Sequence, residues 1–170
     1  MKNTFQFAVL AFLVTTVFEP GFSSTTWAQN PLKPIKLESP RDTMRSFLEA
    51  MNDYRAGVEK QDPIKEKRIF DAVQCFNLAE VPAVVRTERG KEVAIFLKEV
   101  IDRVILIDYL KIPDNPNPKD PLLRWRLKDT EIVIQRVDEG GNAGKYLFNP
   151  DTVARAKEFY DRVKHLPYLK

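Results

Sequence analysis

Cysteine and histidine are almost missing from this sequence: Cys75 and His165 stand alone among its 170 residues. One cysteine excludes an internal disulfide, and metal centres assembled from clusters of histidine and cysteine lose their ligands with it. Cys75 sits in DAVQCF, beside the apolar stripe of a predicted helix. It reads as a buried, inert thiol rather than a reactive one. A Ser-His-Asp or Cys-His arrangement would have to use His165, close to Pro167 in the last residues, where a catalytic base would be poorly braced; a solvent-exposed histidine is the simpler account. Glycine is also scarce, and three of the six, Gly140, Gly141 and Gly144, crowd into 138–144 (DEGGNAG). No Gly-Lys-Ser/Thr follows them and a strand intervenes before the next helix, so they make a hairpin turn and not a phosphate loop. Asp114 and Asp120 could offer oxygens to calcium, yet their spacing matches no EF-hand loop, which leaves a solvated loop.

No apolar run reaches the roughly 20 residues of a membrane-spanning helix. The longest, 5–18 (FQFAVLAFLVTTVF), is about 14 residues, short for a retained membrane helix. It follows Lys2 and is ended by Glu19, Pro20 and Gly21, with small residues at Thr26 and Ala28. That is the pattern of a cleaved signal peptide, residues 1–28, cut after Ala28. The chain is therefore expected to be exported, to the periplasm, and no lipoprotein cysteine follows the run. Removing Lys2 and Glu19 leaves the net charge at +3. A mildly basic, mixed surface gives little support to a nucleic-acid partner, which would want a clustered basic face, and none is expected.

What remains has clear punctuation. Residues 29–38 (QNPLKPIKLE) form an extended arm, and 39–169 fit one globular domain. Ser39-Pro40 starts a helix with Asp42 in its first turn, and Met44, Phe47, Leu48 and Met51 fall on one face, extended by Tyr54; Gly57 is expected to end it. Asp62-Pro63 starts a second helix, with Ile69, Ala72, Val73 and Phe76 as its stripe and Asn77 as its close. Residues 78–86, with Pro82, read as a turn. A third helix is expected over 91–110 on the stripe Val93, Phe96, Leu97, Val100, Ile101, Val104 and Ile105. Its polar face pairs Lys98 with Asp102 and Glu99 with Arg103. The four prolines of 112–121 make a surface loop. Residues 122–128 and 131–137 then read as strands, the second forming a hairpin with 145–148. Asn149-Pro150 opens a last helix carrying Val153, Ala156, Tyr160 and Val163. The expected class is α+β: about four helices packed with a small antiparallel sheet containing the hairpin 131–148.

Two constellations remain. Asp102 and Asp108, both placed on the third helix, could pair for carboxylate chemistry, but nothing in the sequence separates their environments, and surface charges are the simpler reading. Arg124, Trp125 and Arg126 put an aromatic between two bases. They could touch lipid headgroups or a polyanion, or Trp125 could face the core with the arginines solvated. This stretch is the candidate interaction surface. No residue is assigned to catalysis, to a cofactor or to a metal.

Several blocks, SPRDTMRSFLEAMNDY (39–54), LKEVIDRV (97–104) with IPD after it (112–114), EIVIQRV (131–137) and YLFNPDTV (146–153), resemble together the N-terminal extramembrane domain of some bacterial channels of the small-conductance mechanosensitive family. The resemblance spans about 39–169. It implies a periplasmic domain ahead of transmembrane helices, and it carries over no catalytic or binding residues. The 170 residues contain no pore helix, so they would be the first part of a longer channel or a free-standing relative of its head. The expected function is a non-enzymatic, modulatory or interaction domain, with channel subunits or other envelope proteins as partners and the oligomeric state open. The alternatives are a stand-alone periplasmic binding or adaptor protein and, last, a hydrolase using carboxylates.

Overall fold

A computed structural model describes residues 33–114, 117 and 119–169. The signal segment 1–28 and the start of the arm lie outside the described residues. Three helix starts use one device. Ser39 Oγ accepts from the Asp42 amide at 3.1 Å, Asp62 Oδ1 from the Ile64 and Lys65 amides at 3.0 and 3.3 Å, and Asn149 Oδ1 from the Thr152 amide at 3.0 Å. Each cap is followed by a proline whose fixed φ suits the first helical position. From these starts run α1 (Pro40–Lys60), α2 (Pro63–Glu66) and α5 (Pro150–Val163). Between them lie α3 (Arg68–Val73) and α4 (Arg86–Val104).

The boundaries move for physical reasons. Gly57 does not end α1, which continues to Lys60 and closes on Gln61 in the left-handed region. Gly57 serves packing instead: a Cβ there would lie 2.6 Å from the Glu66 backbone nitrogen and 2.8 Å from Lys65, so α2 can rest on α1 only because that atom is missing. The second helix breaks at Lys67 and ends at Val73, before Asn77. The residues beyond are drawn into the sheet, where Cys75 O accepts from the Phe148 amide at 2.9 Å and the Asn77 amide donates to Phe148 O at 2.9 Å. The third helix lies earlier than its stripe suggests. A 3₁₀ turn at Ala83–Val85 leads into α4, and Ile105 is extended, so Asp108 falls beyond the helix and starts a 3₁₀ turn at Tyr109–Lys111.

The sheet is three-stranded and antiparallel in the order β1-β2-β3, with β1 at Arg124–Arg126, β2 at Val133–Arg136 and β3 at Tyr146–Phe148. The expected hairpin is β2–β3, turned through Gly140 and Gly144 at φ 83° and 84°. The α+β class read from the sequence is the observed one. One sheet face and helices α1, α3, α4 and α5 enclose a core in which Met44, Phe47, Ala72, Val93, Leu97, Ile101, Ile134 and Phe148 are buried. Thr43 crosses from α1 to the sheet, its hydroxyl donating to Tyr146 O at 2.6 Å. Thr152 accepts the Val133 amide at 3.0 Å and ties α5 to β2. Phe96 of α4 and Tyr160 of α5 stack with centroids 5.2 Å apart. Among the described residues no helix is long and apolar enough to cross a membrane.

Gly57→Ala should push α2 off α1 and lower stability by about 1–3 kcal/mol in urea unfolding, the usual range for overpacking a tight contact. Gly141→Ala, where an added Cβ meets nothing within 4 Å, should stay within about 0.5 kcal/mol of the parent. Equal effects at the two positions would remove the packing role given to Gly57.

Candidate functional site

Of the acids weighed in the sequence, Asp102, Asp108 and Asp114 are engaged structurally, and the thiol is buried. Asp102 pairs with Lys98 on its own helix and accepts from Arg55 of α1 at 2.9 Å. Lys98 is buried, and burial holds its ammonium below the ordinary lysine range. Asp108 accepts the Leu110 amide at 3.0 Å and lies 3.3 Å from Lys111, so it does not converge with Asp102. Asp114 pairs with Arg41 at 2.9 Å, and Asp120 is exposed. Cys75 is fully buried, and burial first, then the charge of Asp71, pushes its thiol up. His165 is exposed after α5. Among the described residues no three His, Cys, Asp or Glu side chains gather as a metal site.

The stretch 124–126 is different. Arg124 and Arg126 are exposed on one side of β1, and Trp125 turns to the other and packs half-buried against the core. The aromatic is therefore not displayed between the two bases. Every other arginine from Arg41 to Arg162 holds a carboxylate, a backbone carbonyl or an aromatic ring: Arg86 donates to Val81 O, Arg45 lies over Tyr109, Arg136 pairs with Asp138. Arg124 and Arg126 have no such partner among the described residues. Ahead of them Leu122 and Leu123 are 38% and 60% exposed.

Arg126 stands on the rim of a cleft of about 410 Å³ whose apolar lining includes Val100, Ile132, Phe159 and Val163. The opposite rim is a closed charge network. Glu131 reaches Arg155 at 2.6 Å and Arg162 at 2.7 Å, Glu158 binds both arginines, and the two guanidiniums sit 4.9 and 5.4 Å from the Phe159 ring centroid. Hydrogen bonds from Arg155 and then Arg162 pull the Glu158 carboxyl down to about 2 and lower Glu131 as well. A second concavity, about 510 Å³, opens between the 139–142 turn and the 74–79 segment.

The register sets the edges of the sheet. The Arg136 amide donates to Leu123 O and the Leu127 amide to Ile132 O, both at 2.9 Å. With Trp125 opposite Ile134, the odd-numbered residues of β1 face β2, and the N–H and C=O of Arg124 and Arg126 point away from the sheet. Sequence reasoning singled out these residues for their side chains and could not see the backbone edge. Helical spacing could have flagged Glu158 with Arg155 and Arg162, but not Glu131, which comes from the sheet. Comparison with known proteins adds no relative: no protein-family model, characterised protein or solved structure matches the chain.

Asp102→Ala should cost about 3 kcal/mol in urea unfolding, because it leaves the buried Lys98 ammonium without its acid, whereas Lys98→Met, which removes the buried charge itself, should cost less than about 1 kcal/mol. The reverse ranking would show that Lys98 is not the stranded partner. The depressed Glu158 carboxyl predicts a pH effect as well. A carboxyl that holds its proton less readily when folded adds stability above the free value of about 4.3, and loses it as pH falls toward its folded value. Between about pH 5 and the folded value of about 2, the urea midpoint of Glu158→Gln should fall less steeply than that of the parent; parallel curves would exclude the network as a source of acid sensitivity.

Proposed function

We propose that the chain is an exported, non-enzymatic domain of the bacterial envelope, built like the N-terminal extramembrane part of small-conductance mechanosensitive channels and acting by contact with channel subunits or another envelope protein. One observation carries the reading: the resembling blocks fall on the elements that build the core. Residues 39–54 are the Ser39 cap and most of α1, 97–104 the second half of α4, 131–137 contain β2, and 146–153 hold β3 and the start of α5. The resembling blocks are thus spread over this chain's core elements and are not one local motif, which supports the reading. The two carboxylates weighed for catalysis are held instead: Asp102 by Lys98 and Arg55, Asp108 by a turn amide and Lys111. Arg124 and Arg126, with the outward backbone groups of β1, are uncommitted among the described residues, and a strand edge is a place for contact rather than chemistry.

Expression of the full chain in a bacterial cell should yield a protein released by osmotic shock whose first residue is Gln29; a full-length protein in the membrane pellet would overturn export. The channel part is tested by deleting the gene from its host and applying a hypo-osmotic downshock. Altered survival is expected, and unchanged survival together with unchanged channel currents would sink it. The reading frame beyond the Lys170 codon separates the two forms of the proposal. Runs of about 20 apolar residues mark a channel head, and a stop codon marks a stand-alone adaptor.

A further inference from the structure

We propose that the outer edge of β1 is a docking strand for an extended segment of a partner protein that carries acidic residues two positions apart, bound by strand addition to the sheet. The inference rests on the sheet itself and stands whether or not the channel reading holds.

The two edges of the sheet are treated differently. On β3 the outward amides are taken up by the chain itself: Tyr146 N–H donates to Leu37 O at 2.8 Å and Phe148 N–H to Cys75 O at 2.9 Å. The arm and the segment after α3 therefore cover that edge. On β1 the register directs the N–H and C=O of Arg124 and Arg126 outward, and among the described residues no backbone or side-chain group meets them. A row of unpaired donors and acceptors is a template for an added strand.

Charge selects the occupant. Arg124 and Arg126 are two residues apart, so they share one face of the strand. On an incoming strand the neighbours on that face are also two apart. Acidic residues there would pair with arginines that have nothing else to hold. A second copy of this chain is disfavoured, because β1 against β1 sets these like charges across from each other. A membrane surface fits less well, because the aromatic anchor it would use, Trp125, is turned into the core. Next to Arg126 the cleft lined by Val100, Ile132, Phe159 and Val163 can receive an apolar side chain that follows the acidic pair.

The test titrates the purified, isotopically labelled protein with a short, blocked peptide that alternates glutamate with valine, followed by amide chemical shifts. The largest shifts should fall on Arg124 and Arg126. The double variant Arg124→Glu, Arg126→Glu should weaken binding about tenfold or more, as the loss and reversal of two exposed ion pairs implies. Arg124→Lys with Arg126→Lys should keep most of the binding, which guards against a folding artefact. N-methylation of the peptide amides that would face β1 should abolish binding while leaving charge intact. Undiminished binding by the N-methylated peptide, or by the double reversal, overturns strand addition. So does an absence of peptide binding accompanied by sedimentation with phosphatidylglycerol vesicles, which would assign the edge to lipid. Dimerisation lost in the double reversal would assign it to a second copy and likewise overturn the proposal.

Discussion

Phe148 is the residue on which the rest of the structure depends. Its ring meets Phe47 of α1 at 5.2 Å and Phe76 at 5.5 Å between centroids. Its amide and carbonyl bond Cys75 and Asn77 on one side, while the strand pairs it with Ile134 on the other. One residue of the short strand β3 thus binds the helical half to the sheet by ring packing and by the ladder at once. The same bonds explain why the helix before Cys75 must stop: the carbonyl that would continue it is committed to the sheet. They also close the β3 edge. The stability of the domain and the shape of its exposed edge therefore come from the same contact.

Closing one edge leaves the other. In a sheet of three short strands, the arm and the segment after α3 can cover only the β3 side. The β1 side is left with a three-residue strand, exposed arginines and a loop rich in proline before it. Short length, charge and nearby proline are the features with which natural sheets discourage indiscriminate pairing. They do not forbid pairing with a chain of opposite charge. Specificity here would come from repulsion of like edges as much as from attraction of the right one.

Much of this was legible in the sequence, and what was not has a common cause. The three cap-and-proline starts at Ser39, Asp62 and Asn149 are local chemistry, and each appears where it was read. The stripes of α1, α4 and α5 supply the core as their spacing implied. What went astray depends on distant partners. Gly57 looked like a stop because glycine usually is one near a helix end, yet its task is to let α2 approach. The end of α3 is set by Phe148, more than seventy positions along the chain. The start of α4 at Arg86 could not be seen from an apolar stripe that begins at Val93. Residues 122–128 read as a longer strand, but β1 is confined to Arg124–Arg126, and only Trp125 and Leu127 turn inward while Leu123 stays in solvent.

The two concentrations of charge near the cleft have different capacities. In the α5 network every group already has its counter-charge. Glu131 and Glu158 hold Arg155 and Arg162, whose guanidiniums also cover Phe159. A ligand would have to break those bonds before making its own, so the network acts as a wall. Arg124 and Arg126 have no such bonds to break, and the backbone beside them is open as well. An incoming acidic strand would replace water alone, and exposed groups surrender water at small cost compared with buried or paired ones. Difference in prior commitment, rather than in charge or position, is what separates the β1 edge from the α5 network.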